Sequence, residues 1–146
     1  MPLSPQARLM SGATLLASPT IMYGGATLLN VLTEGTAGIS PGGLTLDDRQ
    51  WALWRAGHAH AGVWVVLSLV LQVLLDSARL SREMSWVARI AAPLGAIAVS
   101  GGFFGLAYLP EFRWLLYLGA LSLLVSLITT GIGLLRGWRS VPGLER

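Results

Sequence analysis

Cysteine is absent from the 146 residues, and so is lysine; all ten basic residues are Arg. The first absence excludes a disulfide framework, a thiolate metal site and a cysteine nucleophile. Charge is also scarce. Charged residues make up 12% of the chain, about half the ~25% of an ordinary soluble domain, too little to cover a water-facing surface. Histidine occurs only twice, at His58 and His60. A pI near 10.2 raises the question of nucleic acid, but the Arg residues are scattered at the ends of apolar segments and form no basic stripe. They read as topology determinants, with no nucleic-acid partner expected.

What is abundant is apolar surface: 53% hydrophobic residues and a mean hydropathy of +0.64. A bilayer-spanning helix needs about 20 predominantly apolar residues, and four segments qualify, at approximately 9–32, 53–75, 86–109 and 114–135. None contains an acidic residue, and Arg enters only near ends, as Arg55 and Arg89. The chain therefore reads as one all-α membrane domain over residues 1–146, a bundle of four transmembrane helices in a lipid bilayer. Only Arg8 precedes the first apolar run, which outlasts the short core of a cleaved signal peptide, so it is expected to be retained.

Local chemistry marks the boundaries. Thr33-Glu34-Gly35 closes the first helix. A long loop follows, with Pro41-Gly42-Gly43 and then Asp47-Asp48, either of which can cap the second helix. Pro110-Glu111 makes a tight turn between the third and fourth helices, and Pro19 and Pro93 are positioned to kink their spans. Arg8, Arg79, Arg82, Arg89, Arg136, Arg139 and Arg146 fall on one side, against Arg49, Arg55 and Arg113 on the other. The positive-inside rule places both termini in the cytoplasm, in a cytoplasmic (inner) membrane. Trp51, Trp54, Trp86, Trp114 and Trp138 lie near span ends, as in an aromatic belt. Paired glycines such as Gly24-Gly25 and Gly101-Gly102 suit either close helix contact or room for a flat ligand. Intramembrane Ser and Thr, including Ser122, Ser126, Thr129 and Thr130, are expected to bond back to their own helix.

The stretch that points to chemistry is Trp54-Arg55-Ala56-Gly57-His58-Ala59-His60-Ala61-Gly62. Ionisable residues inside a span are costly and usually functional. Residues i and i+2 of a helix point about 200° apart, so His58 and His60 cannot both ligate one metal from a regular helix. The plain alternative for each is a structural hydrogen bond to a backbone carbonyl, Arg55 or Asn30. Gly57 and Gly62 leave room beside the imidazoles, and Trp64 lies one turn after His60. Asn30 and Tyr108 fall at a depth similar to the His pair, which suggests a polar pocket in the outer half of the bundle.

At this motif the chain resembles the styrene oxide isomerases and hydroxylaminobenzene mutases, a family of small four-span membrane enzymes. The matching residues are Trp54-Arg55-Ala56 followed by His60-Ala61-Gly62, with two residues inserted; Tyr23-Gly24-Gly25 to Asn30 and then Gly35; and Gly102-Phe103-Phe104. The resemblance covers about the first 110 residues. It implies haem b with His60 as the iron ligand, a homo-oligomer (a trimer in the styrene oxide isomerases) and Lewis-acid isomerisation of an epoxide to a carbonyl compound. Two positions depart from the family: Val66 stands where it has Asn, and Phe104 where it has Tyr, with Tyr108 one turn later as a substitute.

The expectation is thus a haem b-dependent isomerase or mutase acting on a small apolar molecule. His60 holds iron, with His58, Arg55 and Trp64 around the cofactor. Arg55 pairs with a propionate, and Tyr108 or Asn30 holds the substrate. The rivals are a b-type cytochrome, which needs a second axial ligand from another subunit, and a non-enzymatic transporter or assembly protein.

Overall fold

A computed structural model of the chain describes residues 2–40, 42 and 45–138. Pro41, Gly43, Arg139 and Arg146, and the side chain of Trp138, lie outside the described residues. The described chain is all-helical, with α1 (Pro5–Leu32), α2 (Asp48–Leu75), α3 (Arg82–Leu106), a single 3-10 turn (Pro110–Phe112) and α4 (Arg113–Trp138). Each of the four helices is long and apolar enough to cross a membrane.

The first three helices start four or five residues earlier than apolar patterning suggests, and each time a polar cap explains it. The Ser4 hydroxyl accepts from the Ala7 N–H, with Pro5 at the first turn. Asp47, not Asp48, caps α2, and a capping box with Gln50 completes the arrangement. Ser81 accepts from the Met84 N–H at the start of α3. Capping groups satisfy free N–H groups outside the apolar run, so hydropathy alone misses the first turn. In the other direction, α3 ends at Leu106 rather than 109. Leu109 is extended (φ −131°, ψ 120°) because the residue before a proline is pushed out of the helical region.

The helices alternate in direction. Arg79 N–H donates to the Gly133 carbonyl (2.9 Å) and Ser4 bonds Asp76. The start of α1, the α2–α3 link and the end of α4 therefore share one end of the bundle. At the other end the loop after α1 doubles back, with Ile39 N–H on the Ala26 carbonyl (3.0 Å). Gly38 makes this possible: its φ is +87°, and a Cβ there would stand 2.3 Å from the Ala26 oxygen.

Helices α3 and α4 pack through small residues. A Cβ on Gly95 would stand 2.9 Å from the Gly119 oxygen, and one on Gly119 would stand 2.7 Å from the Val99 nitrogen. Backbones meet this closely in membranes where side chains are small. Two α4 hydroxyls reinforce the seam: Ser122 donates to the Ala91 carbonyl (2.9 Å) and Ser126 to the Ala88 carbonyl (2.8 Å). The expectation that these serines bond back to their own helix is corrected here. Of that group, Thr130 does so, on the Ser126 carbonyl. Helix α1, by contrast, lies against α2, touches α3 only slightly and does not reach α4.

Candidate functional site

Two polar arrangements lie inside the bundle. The first is at the end that holds the N-terminus. Pro93 has no N–H, so the Arg89 carbonyl one turn earlier in α3 loses its helical donor. Gln72 of α2, fully buried, supplies a substitute: its Nε2 donates to that carbonyl (2.9 Å). Arg89, only 4% exposed, returns the contact by donating to the Gln72 carbonyl (2.9 Å) and to Gln72 Oε1 (3.2 Å). Its other guanidinium nitrogen pairs with Asp76. Asp76 also accepts from the Ser4 N–H (2.9 Å) and hydroxyl (2.6 Å). Partial burial works to raise the Asp76 carboxyl, but the Ser4 hydrogen bonds and the Arg89 guanidinium outweigh it and hold the group below its ordinary value.

This knot ties α1, α2 and α3 together and is a structural device: its donors and acceptors are used on one another. In the sequence Arg89 stands out as a topology determinant, apart from Gln72. The signal that could have joined them is Pro93, four residues after Arg89.

The second arrangement surrounds the two His residues. Both lie within the continuous α2 helix and diverge as their spacing requires. The His60 Nδ1 is 2.7 Å from the Ala56 carbonyl oxygen. A carbonyl only accepts, so Nδ1 carries the hydrogen, and in the neutral ring Nε2 keeps its lone pair. The ring also lies on Phe103 of α3 (centroids 4.8 Å apart, planes 35°). One turn on, the Trp64 indole N–H is buried with no acceptor among the described residues.

His58 faces α1 instead. Its imidazole sits over Gly24 and Gly25: a Cβ on Gly25 would stand 3.0 Å from Cε1 and 3.1 Å from Nε2 of the ring. Those glycines make the seat for His58. It makes no hydrogen bond among the described residues and lines a cavity of about 450 Å³ between α1, α2 and α3. This crevice exists because α1 leans on α2 and stays off α3. Its walls are mainly apolar, with Ala17, Ala61, Ala96, Ile97 and Phe104 among them, and it contains no carboxylate, Arg or Lys.

The glycines beside the His pair divide in the same way. At Gly57 the space is filled, since a Cβ there would stand 3.2 Å from Phe103 and Phe104 atoms, whereas Gly62 faces open space. Trp54, near the start of α2, is half-buried. It packs edge-on against Phe104 (5.3 Å, 75°), and its indole N–H is buried without an acceptor among the described residues. Trp114, by contrast, is exposed.

The remaining candidates are spread out. Arg55 is exposed, stands over the Trp51 ring at 5.9 Å and makes no ion pair among the described residues. Asn30 is half-buried near the end of α1. Tyr108 is 52% exposed and lies beyond the end of α3, so it does not continue the helix face of Phe104 as the spacing suggested. Neither lines the crevice, and no hydrogen bond or ring contact joins either to His60. No cluster of three or more His, Asp or Glu able to hold a metal ion occurs among the described residues.

The donor chemistry at His60 fits a haem iron. A ring whose Nδ1 is held by a backbone carbonyl has a fixed tautomer and orientation and a more basic Nε2, the usual state of a metal-bound imidazole. Compared with known proteins, the chain matches no family model, no curated protein and no solved structure.

Proposed function

We propose that this protein is a haem b-binding membrane isomerase or mutase that acts on a small apolar molecule, with His60 as the axial ligand. The observation that carries the reading is the 2.7 Å contact from His60 Nδ1 to the Ala56 carbonyl, which leaves Nε2 as a free, oriented donor on a membrane helix. The resemblance of Trp54-Arg55-Ala56 and His60-Ala61-Gly62 to the styrene oxide isomerases points the same way. When bound, haem b supplies a Lewis-acidic iron able to polarise a substrate oxygen.

The chain's own residues do the rest. Ala56 and Phe103 fix the His60 ring in place. Arg55, exposed and free of any carboxylate partner, offers a fork for a propionate. His60 does not line the α1–α2–α3 crevice, so His60 would hold the cofactor outside that crevice, where a second copy of the chain would enclose it. Asn30 and Tyr108 hold the substrate in this scheme; neither is joined to His60 by a hydrogen bond or ring contact among the described residues. Arg bias supports an orientation with both termini in the cytoplasm and residence in the inner membrane.

The test is an absorption spectrum of the detergent-purified protein after haem addition. A Soret band that disappears in His60→Ala supports the proposal; no band in the wild type sinks it. A six-coordinate, low-spin spectrum would turn the reading toward electron transfer, because both iron positions would then be taken by protein.

A further inference from the structure

We infer that the α1–α2–α3 crevice is a second ligand site, separate from His60, which takes a neutral, mainly apolar molecule carrying one hydroxyl or carbonyl group and admits it from the bilayer. Its volume, about 450 Å³, falls in the usual small-molecule range of roughly 300–1,000 Å³. Every lining residue lies within a membrane-spanning helix, so the open side, where α1 parts from α3, faces lipid.

The chemistry of the walls selects the ligand. With no carboxylate, Arg or Lys in the lining, a charged ligand would lose its hydration with nothing to replace it. Two of the wall hydroxyls are already used, Thr14 donating to the Met10 carbonyl (2.8 Å) and Thr20 to the Ala17 carbonyl (2.7 Å). Two polar groups are left. Among the described residues His58 makes no hydrogen bond, and the Ser100 hydroxyl is buried with no partner in a residue only 7% exposed. Both residues line the crevice.

They also lie near one another in depth. Gly57 meets Phe103 and Phe104, and Gln72 meets Arg89. In antiparallel helices this register places Ser100 opposite Ala61, about one turn deeper than His58. A ligand oxygen in the crevice therefore has the imidazole, which both donates and accepts, and the serine hydroxyl available within about one turn of each other along the helices. The apolar remainder lies along Ala17, Ala96 and Ile97 toward the middle of the membrane. A buried hydroxyl without a partner is costly, and a ligand oxygen removes that cost.

Photolabelling of the full chain in phosphatidylcholine nanodiscs tests this. The probes are a ten-carbon alcohol carrying a mid-chain diazirine and the hydrocarbon of equal length with the same diazirine. The alcohol is expected to label α1, α2 and α3 at crevice positions saturably, at a mole fraction about fivefold below that of the hydrocarbon, the effect of one net hydrogen bond. His58→Ala should remove the difference. Ser100→Ala, which barely changes volume, should at least halve it and keeps the test open if His58→Ala does not fold. Equal labelling by both probes would mean that lipid chains merely fill the space, and labelling confined to outward faces would mean that nothing enters. Either result overturns the inference. The site does not depend on haem: in His60→Ala the preference for the alcohol should persist.

Discussion

The seam between α3 and α4 and the seam beside α1 are built from the same residue types and come out differently. In α4, Ser122 and Ser126 reach across to carbonyls of α3. In α1, Thr14, Ser18, Thr20 and Thr27 all turn back onto their own helix. Gly95 and Gly119 let two backbones touch, whereas Gly12 of α1 has no neighbour within 4 Å. Of the most apolar stretch of each helix, 44% is buried in α3 and 11% in α1. Lipid is as apolar as leucine, so membrane helices stay together through close packing and interhelical hydrogen bonds rather than by escaping solvent. A helix with neither along its middle is free to stand off, and the crevice is the space that results. What holds α1 is at its two ends: Ser4 on Asp76, and Gly24-Gly25 against His58.

The contrast gives a graded set of substitutions. Arg89→Met should have the largest effect, because it removes the donor to the buried Gln72 carbonyl and Oε1 and leaves Asp76 with Ser4 alone. A loss of about 3 kcal/mol is expected, for a charge-assisted hydrogen bond removed and buried acceptors on Gln72 left unsatisfied, read as a fall in thermal stability in detergent. Gly119→Val should cost about 1–3 kcal/mol by overpacking against Val99 and Ala98, while Gly12→Val in α1 should leave the melting temperature unchanged. Equal effects at the two glycines would erase the distinction between the seams. Ser126→Ala should cost roughly 0.6 kcal/mol, a typical interhelical hydrogen bond in a membrane, whereas Thr14→Ala, whose bond is internal to α1, should cost less in the same assay.

The smallest effect is pH-dependent. The Asp76 carboxyl is held below its ordinary value in the folded chain, so its contribution is fully present above the ordinary Asp pKa of about 3.9. It is lost as pH falls through the lower folded value. Proteolysis near Ser4 should accelerate below about pH 4, and Asp76→Asn should bring that sensitivity to neutral pH. No change in cleavage with pH would show that Ser4 is not what holds the start of α1.

The four helices were legible from apolar run length, and the divergence of the two imidazoles from helix period alone. The helix starts were not, because Ser4, Asp47 and Ser81 extend each helix through single hydrogen bonds that hydropathy does not register. The Arg89 knot was hidden because its logic runs through an absent N–H at Pro93 and a partner 17 residues away in α2. The reach of Ser122 and Ser126 depends on how near α3 comes, which only packing decides. At the candidate site, the sequence grouped Asn30 and Tyr108 with the His pair by depth. Depth along a span says nothing about direction around it: neither residue lines the crevice, and no hydrogen bond or ring contact among the described residues joins either to an imidazole.

The central claim is that the two faces of α2 have separate duties, with His60 for iron and His58 for the crevice. The most direct measurement is the Soret absorbance of haem-titrated wild type, His60→Ala and His58→Ala, purified in parallel and matched for folded protein. The account predicts a band in the wild type and in His58→Ala and none in His60→Ala. A band that survives in His60→Ala and vanishes in His58→Ala would contradict it.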